Sequence, residues 1–413
     1  MNLILLTSKY PYGKQEVFVS NELEYTYQYF DKITIYNFWD GPDRTVNQFL
    51  PPNAEVKCVP GLFNNKMGML GALFSPKTPG EFLFDVRKLR YRGGKQTVRG
   101  IGQYLLARKL LTKLLLEEDT ENTIFYSYWL SYHAYALAEA KKQRPEMFCV
   151  SRTHNVDCFL DRQTSFFRRE TVGGMDYVFP CSDRGTREIT ERILPFLEEH
   201  RPTVTTSYLG VACDGRRNPD RTEETLQVVS ISNFYPVKRL DLIIGALAQI
   251  KDIPIHWTHF GDGVGMAAVQ AEAEEKLKGN VTFCFKGRVP NREIHEYFAA
   301  NHVDVFVNAS DFEGIPVSIM EAMSYGIIAV ARDAGGNREA ICDEGDCGIL
   351  LPNEIGPEAL AEAIVRVASM TPEETQARRD RCAEHIDRTF NQAKAYRAFA
   401  EQLLRLRREW PGK

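Results

Sequence analysis

Two glutamates, Glu313 and Glu321, stand eight positions apart on either side of a predicted turn from a strand to a helix. Gly314 permits a tight backbone at this turn, and Pro316 suits the first position of the helix. Amides at such a helix start have no partner within the helix and attract phosphate. We expect free amides here at Ile315, Val317 and Ser318. The segment therefore has the residue types needed to hold a phosphorylated ligand.

The two carboxylates predict different contacts. Glu321 lies about one turn into the helix, where its oxygens can accept hydrogen bonds from the two hydroxyls of a ribose attached to the phosphate. Glu313 precedes the turn and can face a sugar. The alternative interpretation is a helix-start charge beside a solvated surface glutamate.

The segment from Ser310 to Met323 resembles the donor-binding motif of glycosyltransferase family 4, in which two glutamates flank seven residues. The segment from Ala334 to Glu339 resembles the Gly-Gly-x-x-Glu turn of that family, and the likeness extends over most of residues 226–355. The resemblance implies two Rossmann-like domains (GT-B), retention of anomeric configuration and no divalent metal. It also implies that Glu321 holds the donor ribose, Glu313 lies near the transferred sugar, and the Gly314–Val317 loop binds the diphosphate.

The same resemblance makes Lys238 the phosphate-binding lysine, a point charge suited to neutralising a departing diphosphate. Many relatives carry an arginine five residues earlier, where this sequence has Asn233. Arg239 is a candidate substitute for that arginine, and capping of a helix is its alternative role.

Two further loops of the second half are predicted to contact the donor. Gly261 and Gly263 flank Asp262 in a turn whose lack of side-chain bulk lets the backbone approach the diphosphate; Asp262 itself is expected to form the turn rather than bind metal. Arg288 and Val289 resemble the loop whose main chain contacts the nucleobase.

The first half supplies the predicted acceptor side. His154 follows a predicted strand, where function concentrates in open α/β sheets, and it matches the active-site histidine of the family. We assign it contact with a sugar hydroxyl. Gly13 and Glu16, in a loop that matches the family less closely, and Asn155 are the other acceptor-side candidates. For Glu16, a helix-start role is an equal alternative.

These residues must be positioned by alternating strands and helices, the pattern of parallel α/β sheets. Strands are predicted at Leu3–Thr7, Lys32–Asn37, Thr123–Ser127, Phe148–Thr153 and Tyr177–Cys181 in the first half. In the second half they are predicted at Leu226–Ser230, Ile255–Phe260, Val281–Lys286, Asp304–Asn308, Ile327–Ala331 and Gly348–Leu351. The fold class is α/β, with two doubly wound Rossmann-like domains expected to face a cleft. The predicted divisions are residues 1–209, a polar linker at 210–225, the donor domain at 226–390, and a C-terminal helix and tail at 391–413, the helix expected across the seam.

Composition limits the function further. The chain has 413 residues, 44% of them apolar, and a net charge of −4, which disfavours nucleic acid as a partner. Nine scattered cysteines include no CxxC pair, which favours a reducing compartment and no zinc site. No signal peptide or membrane span is predicted at the N-terminus, so we expect a cytoplasmic protein.

One segment departs from the overall charge. Residues 77–115 contain ten Lys or Arg and two acids. Apolar side chains are interleaved with these charges, and the combination suggests that the segment makes peripheral contact with anionic lipids at the inner face of the cell membrane. The apolar side chains include Leu83, Phe84, Leu89, Tyr91, Ile101, Tyr104 and Leu105. A solvated basic face is the alternative.

The sequence thus predicts an enzyme that takes a UDP- or GDP-sugar as donor substrate, needs no cofactor, and uses a saccharide acceptor. The resemblance suggests a polyprenyl-linked acceptor in exopolysaccharide, capsule or O-antigen assembly. Two alternatives stay open: an epimerase or phosphorylase with similar domains, and a catalytically silent nucleotide-sugar-binding subunit.

Overall fold

A computed structural model describes residues 1–13, 16–62, 85, 95–160, 165–198, 200–341 and 347–412. The chain divides into two compact units. The first unit contains Met1–Leu209 and Ala393–Lys413, and the second contains Gly210–Gln392.

The first unit is built on a seven-stranded parallel sheet in the order β3-β2-β1-β4-β5-β6-β7. Its strands are β1 (Asn2–Leu6), β2 (Lys32–Asn37), β3 (Ala54–Cys58), β4 (Thr123–Ser127), β5 (Phe148–Thr153), β6 (Tyr177–Pro180) and β7 (Thr203–Val204). Its helices up to residue 192 are α1 (Val17–Thr26), α2 (Lys95–Leu115), α3 (Tyr132–Gln143), α4 (Asn155–Cys158), α5 (Arg168–Gly173) and α6 (Asp183–Arg192). The strand order reverses between β1 and β4, and such switch points hold the ligands of open α/β sheets.

The second unit repeats this topology with a six-stranded parallel sheet in the order β10-β9-β8-β11-β12-β13. Its strands are β8 (Leu226–Ile231), β9 (Ile255–Phe260), β10 (Val281–Phe285), β11 (Val305–Asn308), β12 (Ile328–Arg332) and β13 (Ile349–Leu351). Its helices are α7 (Leu240–Leu247), α8 (Met266–Lys276), α9 (Asn291–Ala300), α10 (Val317–Ser324), α11 (Asn337–Ala340), α12 (Pro357–Ala368) and α13 (Pro372–Thr389). Here the order reverses between β8 and β11. The predicted α/β class with two doubly wound sheets is confirmed.

The central strands form because their apolar runs are covered by helices on both faces. All five residues of β4 and all four of β11 are buried. Strands that are buried on both faces are continuously apolar rather than alternating. The second unit's core gathers around the fully buried Trp257, whose indole N–H donates to Ser230 Oγ at 2.8 Å. Rigid sheets of this kind hold the loops at their carboxyl ends in fixed places.

Residues 210–225 differ from the predicted linker because they belong to the second unit. The side-chain amide of Asn218 is buried and donates to the carbonyl oxygens of Phe298 and Asn301 at 2.7 and 2.8 Å. The amide of Val211 donates to Phe390 O at 2.8 Å. Polar side chains and backbone bonds thus attach a segment that has no apolar periodicity.

The C-terminal helix α14 (Gln392–Glu409) returns to the first unit. Phe399 and Leu403 are buried in that unit's core, and the Phe399 ring packs edge-on against Tyr126 and Phe179. Arg407 donates to the carbonyl oxygen of Thr123 at 3.2 Å. Although we expected this helix across the seam, the contacts described here are with the first unit.

No helix in the described ranges is long and apolar enough to cross a membrane.

Candidate functional site

The centre of the site in the second unit is an ion pair at its switch point. Lys238 ends a short 3-10 helix (Pro236–Lys238) after β8, and Glu313 lies in the loop after β11. The Lys238 ammonium donates to Glu313 Oε1 at 2.7 Å, with side chains 22% and 13% exposed. The two predicted catalytic residues of this unit are therefore brought together, and both remain partly open to solvent.

Neighbouring polar groups fix the Glu313 carboxylate. Ser310 Oγ donates to Glu313 Oε1 at 2.6 Å, and the Asn308 side-chain amide donates to the same oxygen at 3.2 Å. The amide of Asp311 donates to Val237 O at 2.8 Å, which ties the Glu313 loop to the Lys238 loop. Such support holds a site residue in one geometry before a ligand arrives.

Two glycines after β12 pack directly against the backbone of the Glu313 loop. Gly335 has φ +65°, and a Cβ there would lie 1.8 Å from Glu313 O. A Cβ on Gly336 would lie 1.9 Å from Gly314 O. Only glycine fits this approach of two backbones, so the Gly-Gly segment supports the loop.

The turn at the start of α10 differs in one respect from the sequence expectation. Pro316 is the N-cap, with φ −83° and ψ 79°, and the Val317 amide donates to Ile315 O at 3.0 Å. This geometry is an inverse γ-turn. The expectation of a free Val317 amide is therefore wrong, because the turn uses it internally. The described hydrogen bonds leave the amides of Ile315 and Ser318 unused.

Glu321 lies on α10 with 7% of its surface exposed. Its Oε1 accepts from the Asn291 side-chain amide at 2.7 Å, and His295 Nε2 lies 3.8 Å from the same oxygen. Asn291 and His295 belong to α9, which follows the Gly287–Val289 loop. The sequence analysis did not assign either residue to the site. The signal that could have found them is a pair of polar residues four positions apart at the start of a helix, which places both on one face. These contacts fix Oε1 of Glu321 in place and leave its Oε2 available to a ligand.

Within the described residues, neither Asn233 nor Arg239 takes the place of the arginine that many relatives carry before the lysine. Asn233 is exposed, and the Arg239 guanidinium binds Asp241 at 3.0 Å and Asp311 at 3.2 Å. These two carboxylates neutralise the guanidinium that we expected to face the diphosphate. Arg239 also serves as the N-cap residue of α7 through its backbone, in the left-handed conformation with φ 50°. The contacts of Arg239 therefore support its alternative role as a helix-capping residue.

The glycine turn after β9 lies directly against the loop after β8. Gly261 has φ +146°, and a Cβ there would lie 1.8 Å from Ser232 O. A Cβ on Gly263 would lie 3.1 Å from Phe234 N. The Gly261 amide donates to Gly287 O at 2.9 Å, which connects this turn to the loop carrying the exposed Arg288 and the half-buried Val289. The predicted donor loops thus line one edge of the sheet.

His154 is a buried histidine of the first unit and directly follows β5. Its ring stacks on Tyr128 with centroids 5.0 Å apart and lies 4.6 Å from the Trp129 ring. Burial, together with the nearby Arg152 charge, lowers the pKa of His154 to about 3. Neither ring nitrogen has a hydrogen-bond partner among the described residues. A neutral imidazole suits contact with a hydroxyl group.

The backbone beside His154 is held by the buried Asp157. Its carboxylate accepts from the His154 amide at 2.6 Å, from Leu130 N at 2.6 Å and from Thr153 Oγ1 at 3.0 Å. Burial raises the pKa of Asp157 to about 6. The neighbouring Asn155 begins α4, and its side-chain oxygen is buried without a partner in the described chain.

The other acceptor-side candidates have structural tasks. The Glu16 carboxylate accepts from three backbone amides of the loop after β1 and from the indole N–H of Trp129. All its lone pairs are thereby used, which removes the free oxygen that sugar contact would need. Gly13 adopts φ +73° beside Trp39, 3.6 Å from where its Cβ would lie.

The basic segment is only partly described, because Lys77, Leu83, Phe84 and 86–94 lie outside the described residues. Within α2, Ile101, Tyr104 and Leu105 are buried against Tyr135 and two phenylalanines. The expectation that these three side chains reach a lipid interface is wrong, because the core takes them. Exposed basic residues remain on α2 at Arg99, Lys109 and Lys113.

The described residues contain no cluster of three or more His, Cys, Asp or Glu side chains that could hold a metal ion.

Most of the second unit matches a known protein family. Residues 215–386 match the family model described as Glycosyl transferases group 1. The chain is 30% identical over 201 residues to the amylovoran biosynthesis glycosyltransferase AmsK of Erwinia amylovora, a match over 45% of this chain and 46% of that protein. The chain spans about half the length of the curated relatives it matches.

Solved structures match over nearly the whole chain. The apo form of the lipopolysaccharide outer core galactosyltransferase WaaB aligns with a TM-score of 0.70 at 17% identity, covering 97% of this chain and 100% of that one. Anabaena HepE in complex with UDP-glucose aligns with a TM-score of 0.64 at 17% identity, covering 98% and 99%. At this identity the likeness shows the fold, which is that of GT-B glycosyltransferases.

Proposed function

We propose that this chain, in which residues 215–386 form a glycosyl transferases group 1 domain, is a retaining glycosyltransferase that uses a nucleotide diphosphate sugar. The observation that carries the proposal is the Lys238–Glu313 pair at the switch point, with Glu321 on the helix that follows. A cation, a sugar-facing carboxylate and a ribose-facing carboxylate there match the three parts of such a donor.

Each residue has a distinct task in the proposed transfer. Glu321 accepts hydrogen bonds from the ribose hydroxyls, and Asn291 holds it in position. Lys238 and the amides of Ile315 and Ser318 at the start of α10 stabilise the negative charge that develops on the leaving diphosphate. Glu313 contacts the transferred sugar, and the neutral His154 contacts a sugar hydroxyl. In retaining transfer by front-face attack, the leaving phosphate oxygen takes the proton of the attacking hydroxyl.

A panel of UDP- and GDP-sugars, each tested for slow donor hydrolysis, checks the donor assignment. We expect one nucleotide and one sugar to be preferred, with release of the nucleoside diphosphate. An epimerase would convert the sugar without releasing the nucleoside diphosphate. Binding without release from any donor would instead support a silent subunit.

Metal independence is part of the same proposal, because a lysine and backbone amides stabilise the leaving group. The sequence has no Asp-x-Asp triplet. We expect activity to survive EDTA in metal-free buffer. Complete loss that Mn²⁺ restores would contradict the metal-free mechanism.

We further propose a cytoplasmic enzyme whose saccharide acceptor is polyprenyl-linked, in exopolysaccharide, capsule or O-antigen assembly. Support comes from the name of the amylovoran biosynthesis relative and from the basic segment 77–115. Each basic residue near an anionic surface contributes about 1 kcal/mol at low salt, so four contacts would give salt-sensitive binding.

Flotation with phosphatidylglycerol vesicles tests the membrane contact. Charge reversal of Arg87, Lys88, Arg90 and Arg92 to Glu should abolish flotation and leave donor hydrolysis intact. The matched control reverses the exposed Lys251, Lys278, Arg405 and Arg408 and should still float. If the wild type ignores the vesicles at low ionic strength, the segment is a solvated face or a protein interface.

A further inference from the structure

The loop after β1 in the first unit forms an anion-binding nest. Three successive backbone amides converge on the Glu16 carboxylate: Ser8 N at 3.0 Å, Lys9 N at 2.5 Å and Tyr10 N at 2.8 Å. The indole N–H of Trp129, in the loop after β4, adds a fourth bond at 2.5 Å. Consecutive amides that point to one centre are a common way to bind phosphate.

The nest lies at the switch point of the sheet. β1 and β4 are neighbours in the sheet, and the strand order reverses between them. Nucleotide phosphates in open α/β sheets bind beyond the carboxyl ends of strands at this point. The Glu16 carboxylate therefore takes the place where a phosphate group would otherwise lie.

The backbone of Glu16 is strained in the conformation that brings its carboxylate to the three amides. Glu16 has φ 60° and ψ 35°, in the left-handed region that residues other than glycine rarely adopt. The surrounding contacts must compensate for that strain, and the four hydrogen bonds to an ionised group do so.

The groups next to the nest suit a neutral ligand. Trp129 lies 4.6 Å from the His154 ring, whose buried nitrogens lack partners among the described residues. Arg152, a buried cation on β5, is paired with Glu22 at 3.0 Å. An aromatic ring can pack against the face of a sugar and an uncharged imidazole can hydrogen-bond its hydroxyls, whereas neither offers a phosphate charge stabilisation.

We propose that Glu16 is a specificity-determining residue that fills the phosphate nest of the first unit from within. The unit thereby excludes nucleotide diphosphates and other phosphate groups from its switch point and leaves the adjoining Trp129 and His154 for a neutral saccharide. Two units of the same topology are in this way assigned different ligands, the donor diphosphate in the second and an uncharged sugar in the first. The assignment of sugars rests on the proposed function, whereas the exclusion of phosphate does not.

Calorimetric titration with inorganic pyrophosphate tests the exclusion without any measurement of sugar transfer. Lys238→Met removes the phosphate cation of the second unit and serves as the background. In that background, Glu16→Ala should bind one pyrophosphate at least about ten-fold tighter than the background alone, because the emptied nest regains its anion. Glu24→Ala is the matched control: it removes one exposed carboxylate from the same helix and should leave pyrophosphate affinity unchanged.

The variants must be compared as folded chains. If Glu16→Ala does not fold, Glu16→Gln keeps the side-chain length and one oxygen for Ser8 N and Trp129 while removing the charge. The melting temperature of the folded variant should rise more with pyrophosphate than that of the background. Equal pyrophosphate affinity and equal thermal shift in variant and background would overturn the proposal, and failure of donor hydrolysis in the wild type would leave this comparison intact.

Discussion

The Lys238 ammonium lies 2.7 Å from the Glu313 carboxylate, although 75 residues separate the two along the chain. They come from the loops after β8 and β11, the two strands between which the order of the second sheet reverses. The pair therefore holds the cation of the proposed site next to the carboxylate that we propose contacts the transferred sugar. In the proposed reaction, a bound diphosphate would compete with Glu313 for Lys238, which would free Glu313 to accept from a sugar hydroxyl.

Glu313→Gln should lower the kcat of donor hydrolysis by roughly 10²-fold, because the amide cannot accept from a sugar hydroxyl with the strength of a carboxylate. The free energy of unfolding should change by less than about 1 kcal/mol, since the amide oxygen still accepts from Lys238 and Ser310. Enzyme kinetics and urea denaturation measure the two effects. Asp241→Asn, which removes an exposed carboxylate in the adjoining segment, is the control; an equal loss of activity in both variants would contradict the role.

Glu321→Ala should weaken binding of the preferred nucleoside diphosphate by about 1–3 kcal/mol, because the ribose hydroxyls lose a charge-assisted partner. Calorimetry with UDP and GDP measures this change. Glu293→Ala removes an exposed carboxylate from the first turn of α9 and should leave affinity unchanged. Unchanged affinity in Glu321→Ala would remove the residue from the ribose role.

Gly335→Ala should reduce donor hydrolysis strongly, because the added Cβ would lie 1.8 Å from Glu313 O and must displace that loop. Left-handed backbone strain alone costs about 1 kcal/mol. Gly279→Ala separates the two effects: it has φ +74° with nothing within 4 Å of its Cβ. It should lose stability and keep activity. Full activity in folded Gly335→Ala would show that the glycine does not support Glu313.

Stability should fall as pH decreases below about 6.5, because burial lowers the pKa of His133 and His154 to about 3 and that of His259 to about 4. The unfolded chain protonates these imidazoles near their ordinary pKa of about 6.5, whereas the folded chain keeps them neutral. Each therefore stabilises the fold fully above that pH and loses up to about 1.4 kcal/mol per pH unit below it. Asp157 acts in the opposite sense between pH 6 and its unfolded pKa of about 3.9, because burial raises its folded pKa to about 6.

Urea denaturation at pH 7, 6 and 5 checks this prediction. The free energy of unfolding should be lower at pH 5 than at pH 7. His154→Gln should show a smaller loss over that range than the wild type. Equal stability of the wild type at pH 5 and pH 7 would contradict the assignment.

The sequence alone determined the central strands and the residues at their carboxyl ends. The predicted bounds of β2, β4, β5 and β9 agree with the structure, because these strands are rich in aromatic, β-branched and other apolar residues and lie between polar loops. The edge strands β3 and β7 were missed. They are short or partly exposed, with polar residues such as Glu55, and so lack that pattern. The motif around Glu313 and Glu321 likewise needed no structure, since turn chemistry and residue type are local properties.

Only the tertiary structure decided which partner each polar or aromatic side chain takes. Arg239 had the right type and place for a phosphate contact, yet it binds Asp311, 72 positions away. Glu16 had the residue type for a sugar contact, yet the loop after β1 and Trp129 use its oxygens. Tyr104 carried an interfacial pattern, yet Phe166 and Phe167 bury it. Periodicity along a chain reports which face of an element is buried, whereas a hydrogen-bond or packing partner depends on which distant segments the sheet order brings together.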